Sequence, residues 1–328
     1  MKRNTSRCVC RLTIFVDYRR RRLEIGMMVV LATLSGVICG TSASAQGMPG
    51  DYRQVLTYLN RQGDFSANVL KVNVPRNDVQ VSIAGVATPT PFGFGGWVAM
   101  TKGEGGTEVL MGDLVLLQDE VNPVMSALLD QGFDVTALHN HFLWEQPRIF
   151  FMHVHGMGKA ADLARRIKPA LDLIGHVGAI PAPDPNAKPL AGTLDTDKIA
   201  GIAGHKGDQT GPVYKITVGR DDLTVKEHGA LINARMGLNT WAAFYGSDDS
   251  AVIAGDVAML ETEVTPVLKA LRKNSLDVVA IHHHMTGERP MIIFLHYWGK
   301  GPSLKLATGF RAALDELGKS GADGGMAH

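Results

Sequence analysis

Apolar and polar residues alternate in "VLKVNV" (69–74) and "VQVSIAG" (79–85), the two-residue period of a half-buried strand, with "PRND" between them as a hairpin connection. "GGWVAMTK" (95–102) and "TEVLMGDLVLL" (107–117) predict a second strand pair. The period then lengthens. "PVMSALLDQGF" (123–133) has apolar residues at helical spacing. Asn122-Pro123 is its predicted start, because asparagine caps free N–H groups and proline lacks an N–H that the first turn leaves unused. "VTALHNHFL" (135–143) and "RIFFMHVHG" (148–156) are β-branched and aromatic, which predicts two strands joined by "WEQP". "KAADLARRIKPALDLI" (159–174) closes the series as an amphipathic helix with a kink predicted at Pro169. The order predicts an α+β fold with helices on one face of a mainly antiparallel sheet. Its strand–helix–strand–strand–helix part has the ferredoxin-like split β-α-β arrangement.

The pattern occurs twice. Met111–Gly156 laid on Ala254–Gly299 gives 20 identities in 46 positions without a gap, where chance would give roughly three at ordinary residue frequencies. Upstream, "VLKVNVPRNDVQV" (69–81) meets "VYKITVGRDDLTV" (213–225), and Trp97 meets Trp241. The chain is therefore expected to hold two tandem duplicated domains, 46–177 and 195–320, with a tail at 321–328. "GAIPAPDPNAKPLAG" lies between them, and its prolines and small residues predict a linker over 178–194.

Residues 1–45 break the pattern. A basic run (Arg19 to Arg22), an apolar stretch (Ile25 to Gly40) and Ala43-Ser44-Ala45 follow in the order of a secretory signal peptide. Export to the periplasm or beyond is the expectation, with no membrane span after cleavage. Cys8, Cys10 and Cys39 all lie in that segment, so the mature chain is expected to have no disulfide and no thiolate ligand. Removing eight basic and two acidic residues leaves 25 against 30. That balance argues against nucleic acid as a partner and leaves a small ligand or an envelope protein. No motif for a nucleotide cofactor occurs, since "GHKGDQTG" (204–211) lacks the Gly-Lys-Ser/Thr ending of a phosphate loop.

The chemistry sits on the predicted hairpins. His139 and His141 share one strand face, as do His153 and His155, and a tight turn at Gln146-Pro147 would set His141 opposite His153. The second copy repeats three of these as His282, His284 and His296, with Glu145 matched by Glu288. His155 becomes Trp298, which makes it the weakest member, and His283 replaces Asn140. His139, His141, Glu145 and His153, and again His282, His284, Glu288 and His296, are thus candidate ligands, one set per copy. Three neutral imidazoles and a carboxylate suit a divalent transition metal such as Zn, Mn, Fe or Ni. Asp113 and Asp256 stand as further ligands, as imidazole-orienting partners or as turn residues. Glu120 and Glu263 read as helix N-terminal charges. His176, His205, His228 and His328 are isolated. Two readings stand: a metal-binding protein, in which Glu145 or Glu288 would be ligand or general base if it is an enzyme, and a non-catalytic ligand-binding module whose histidines are structural.

"ALHNHFLWEQPRIFFMHVHGMGKAADLARRI" (137–167) and "AIHHHMTGERPMIIFLHYWGKG" (280–301) resemble the LppY/LpqO family of bacterial exported or lipid-anchored proteins, a domain of unknown function. The resemblance implies an envelope location and assigns no activity. Gly36-Val37-Ile38 before Cys39 is not a lipid-attachment signal, so soluble export is expected.

Overall fold

The computed structural model describes residues 47–319. The predicted leader and the 321–328 tail lie outside the described residues. The first repeat runs α1 (Gly50–Leu59), β1 (Gly63–Ser66), β2 (Val69–Pro75), β3 (Val81–Ile83), β4 (Val86–Thr88), β5 (Gly95–Lys102), β6 (Glu108–Leu117), α2 (Gln118–Asp130), β7 (Asp134–His139), β8 (Glu145–Gln146), β9 (Ile149–Gly158) and α3 (Ala160–Leu173). The second runs α4 (Thr196–Ala203), β10 (Asp208–Thr210), β11 (Val213–Gly219), β12 (Val225–Glu227), β13 (Ala230–Ile232), β14 (Asn239–Gly246), β15 (Ala251–Met259), α5 (Glu261–Lys273), β16 (Asp277–His282), β17 (Ile293–Gly301) and α6 (Ser303–Leu314).

Each repeat builds a six-stranded antiparallel sheet, in the orders β1-β2-β5-β6-β9-β7 and β10-β11-β14-β15-β17-β16. Because β9 lies between β6 and β7, β6–α2–β7 is a split β-α-β unit, and the α+β class read from the sequence is the observed one. Among the described residues no helix is long and apolar enough to cross a membrane.

Side-chain alternation decides what each sheet face meets. In β6, Leu110, Leu114 and Leu116 point into the core under α1, α2 and α3. Val109, Met111 and Val115, on the other face, join clusters shared with the second repeat. The same division holds in β15, where Ile253 and Val257 meet the second repeat's helices and Val252, Ala254 and Ala258 meet the first repeat. The two sheets are therefore sandwiched between outer helices, their inner faces closing on each other. Phe151 and Phe294, both buried at that junction, each contribute about 1.5–3 kcal/mol by leaving water.

Several local expectations change. β2 pairs with β1 and β5 while β3 pairs with β4 and β8, so 75–78 carries the chain from one sheet to another and does not close a hairpin. α2 begins at Gln118, five residues before Pro123, which the helix accommodates. The Glu120 carboxylate accepts the Leu117 N–H at 2.7 Å and supplies the cap that Asn122 was expected to give. It also receives the buried Arg76 guanidinium at 2.5 Å, an arrangement that Glu263 and Arg220 repeat at 2.7 Å. α3 runs continuously through Pro169. In the stretch expected as a linker, the Lys188 N–H donates to the Gly85 carbonyl and its own carbonyl accepts from Ala87, which ties it to the first repeat.

Candidate metal centre

β7 pairs with β9 as Asp134↔His155, Ala137↔His153 and His139↔Phe151, with a bulge between Val135 and Ala137. This corrects the expected pairing of His141 with His153. The ladder stops at His139, and residues 140–148 form a wider connection than a tight turn, so His141 lies beyond the strand. β16 and β17 repeat the register, with His282↔Phe294. His139 and His153 still share a face, because partners in a ladder point to the same side. That face is the junction between the sheets.

There the six repeated histidines meet in one cluster drawn from both repeats. His139 stacks on His282 with ring centres 3.6 Å apart. His141 lies 3.7 Å from His296, and His153 lies 3.9 Å from His284, the same contact with the repeats exchanged. Each outer ring is also fixed from behind: His141 stacks on Phe151 and His284 on Phe294, both at 3.3 Å. The ring nitrogens of His139, His141 and His296 fall within 4.8 Å of one another, and so do those of His139, His153 and His282. Both triads mix residues of the two repeats, where the sequence reading expected one separate set in each.

Hydrogen bonds fix the working nitrogen of several rings. His153 Nδ1 faces the Gly112 carbonyl at 3.3 Å, and His296 Nδ1 faces the Gly255 carbonyl at 3.3 Å. His282 Nδ1 faces the His283 carbonyl at 3.1 Å. A carbonyl only accepts, so these Nδ1 atoms carry the proton and Nε2 presents a lone pair. His296 Nε2 is 2.8 Å from His282 Nε2 and 3.1 Å from His139 Nε2. Burial, with neighbouring imidazoles adding to it for most of the rings, pushes all six pKa values down, that of His282 to about 4. The rings are neutral at physiological pH, the form that ligates metal. His139 Nδ1, both nitrogens of His141, His153 Nε2 and His284 Nε2 are buried without a hydrogen-bond partner.

The structure does not bring Glu145 or Glu288 into either triad. The widened connection turns both acids back on itself. Glu145 Oε1 accepts from Asn140 Nδ2 at 3.3 Å, and Glu288 Oε1 accepts the Ile292 N–H at 3.1 Å. Asn140 Nδ2 also donates to the Ile149 carbonyl, and His283 Nδ1 faces the equivalent Ile292 carbonyl, so His283 holds a loop and stands apart from the triads. Asp256 does approach the cluster, 3.7 Å from His284 Nε2 and 3.9 Å from His296 Nδ1.

Sequence reasoning missed what lies beside it. A cleft of about 270 Å³ is lined by Lys71, Lys215, Asp113, Asp256, Trp97 and Trp241, and reaches His284. Lys71 Nζ stands 4.2 Å over the Trp97 ring, and Lys215 Nζ 3.9 Å over Trp241. Burial pushes both lysines down to about 8 and raises Asp113 to about 7. The signal was present, since the alignment that matched Trp97 with Trp241 also matches Lys71 with Lys215.

Fold and site together define a duplicated α+β protein with buried histidine groups able to hold a metal. The family described as Domain of Unknown Function (DUF1259) matches at residues 53–173 and 197–316, and the chain belongs to that family. No curated protein matches it. A crystal structure of EtuB from Clostridium kluyveri aligns over 80% of this chain and 93% of that one, at 10% identity and a TM-score of 0.19, which supports no argument about fold or function.

Proposed function

We propose that this is an exported protein that holds a transition metal in one composite centre between its repeats, beside a cleft that receives a small polar molecule. One observation carries the reading. His282 and His296 each give an Nδ1 proton to a carbonyl, so two bare Nε2 lone pairs face each other at 2.8 Å in a buried site. Lone pairs so placed repel unless a cation or a shared proton lies with them. Two nitrogens bound to one ion at ~2.0–2.1 Å sit on the order of 3 Å apart, which is the spacing seen here. Imidazole ligands without thiolate suit Zn, Mn, Fe or Ni. The Nδ1 bonds to Gly112 and Gly255 orient His153 and His296 as partners behind metal-ligating histidines do.

The adjoining cleft favours a centre that works on a bound molecule over one that stores metal, since its lysines, carboxylates and indole rings offer both signs of charge and flat apolar surface. The basic, apolar, small-residue order of residues 1–45 supports export, and the likeness to the LppY/LpqO family supports an envelope location. A non-catalytic ligand-binding module with structural histidines is the second reading, and the same Nδ1 bonds to backbone carbonyls favour it.

Elemental analysis of the purified mature chain tests the proposal. Metal should co-purify, and His139→Ala or His282→Ala should each empty the whole centre, because both rings stand in the shared cluster. A double variant that loses twice the metal lost by either single variant would indicate independent sites. A histidine cluster that stays empty in excess Zn, Mn, Fe and Ni would leave the second reading.

A further inference from the structure

His155, Glu227 and His228 form a group of their own, outside both triads, with ligand atoms within 4.8 Å of one another. His155 comes from β9 of the first repeat. Glu227 and His228 come from the end of β12 and the turn into β13 of the second. His228 (φ 45) and Gly229 (φ 77) make that turn in the left-handed region, and Glu104 N–H of the first repeat donates to the His228 carbonyl at 3.2 Å. His155 Nε2 lies 3.3 Å from Glu227 Oε1, and Asp134 Oδ2 lies 3.9 Å from His155 Nδ1 on the ring's other edge. Glu227 is 2% exposed and His155 5%. Both carboxylate oxygens of Glu227 and His155 Nε2 are buried without a hydrogen-bond partner. A buried carboxylate in that condition is costly.

The duplication supplies a control. Exchanging the repeats maps His155 onto Trp298, Glu227 onto Ile83 and His228 onto Ala84. Ala84 occupies the same left-handed turn position (φ 47), followed by Gly85 (φ 78), so the backbone is alike. Ile83 and Trp298 belong to one apolar cluster. The fold is thus satisfied by three apolar residues at this place, and only one side of the molecule carries two imidazoles and a carboxylate there. Packing does not ask for them.

We infer that His155, Glu227 and His228 form a second site for a divalent transition metal ion, present on one side of the molecule only. Two imidazoles and a carboxylate make a borderline donor set suited to Zn, Mn or Fe(II), with remaining positions open to water or a ligand. His228 is exposed, so the ion has a route to solvent. Asp134 is placed to hold His155 with Nε2 turned to the ion.

The test uses the mature chain saturated with Zn²⁺, dialysed and analysed for zinc, with circular dichroism as the folding check. In a His139→Ala/His282→Ala background, about one zinc per chain should remain, and Glu227→Gln should remove it. The triple variant His155→Trp/Glu227→Ile/His228→Ala copies the apolar set already used on the other side, so it should fold. Placed in the otherwise native chain, it should lose about one zinc while the central cluster keeps its metal. A background that binds none, or zinc that survives both Glu227→Gln and the triple variant, overturns the inference and leaves the central centre standing. Zinc removed by Glu227→Gln but untouched by His139→Ala would do the reverse.

Discussion

The two faces of β6 and β9 carry opposite solutions to the same burial. Toward the helices, Leu110, Leu114, Met152 and Val154 form a continuous aliphatic layer. Toward the other repeat, the same strands present Asp113, His153 and His155 among Met111, Val115 and Phe151. One face is apolar throughout, and the other mixes apolar side chains with polar groups that have no hydrogen-bond partner. A layer with this many unpartnered polar atoms persists because the opposite face of each sheet is closed by its own core.

That contrast can be broken from the helix side first, where the largest effect is expected. Leu163 is fully buried under the first sheet, and Leu163→Ala should cost about 2–5 kcal/mol in urea unfolding, with metal content unchanged in the folded fraction. Equal loss of metal at native occupancy would show that the two faces are not independent. On the inner face the sign should invert. His141 is buried with neither nitrogen hydrogen-bonded and already lies flat on Phe151. His141→Phe should therefore raise metal-free stability by about 1 kcal/mol, while abolishing the stabilisation expected from added metal under the proposed function. A drop in metal-free stability would mean that the imidazole is structurally required.

The smallest effect belongs to neither face. The Arg220 guanidinium, in two bonds of 2.8 and 2.9 Å, holds the Asp222 carboxyl below its ordinary value. Asp222 is partly exposed, so Asp222→Asn should cost only about 0.5 kcal/mol at neutral pH. A lowered folded-state pKa stabilises above the unfolded value, near 3.9, and the benefit fades as pH falls through the folded pKa. The gap between variant and native chain should close in acid. A gap that widens there would assign the effect to another group.

The sequence made the fold legible because periodicity reports which side of an element is apolar, and the duplication doubled that report. Alternation also put His139 and His153 on one face, where the structure has them. The meeting of the two faces was not legible. A repeat shows that His139 and His282 are equivalent, and equivalence does not say that they stack. The bulge after Val135 and the length of the 140–148 connection moved His141 out of register and turned Glu145 inward, and both depend on loop geometry that composition does not encode. His228 looked isolated because its companions, His155 and Glu227, lie 73 positions away and one position away on different repeats.

The interleaving of rings across the sheet junction ties chemistry to quaternary-like closure within one chain. Thr136 Oγ1 donates to the His284 carbonyl across that junction at 2.7 Å, so the halves are also stitched beside the rings. An ion there would act as a clasp, its affinity rising as the halves shut and falling as they part. Anything that wedges the halves open, a docking protein or a bulky ligand in the lysine cleft, would thereby release the ion by drawing its ligands apart.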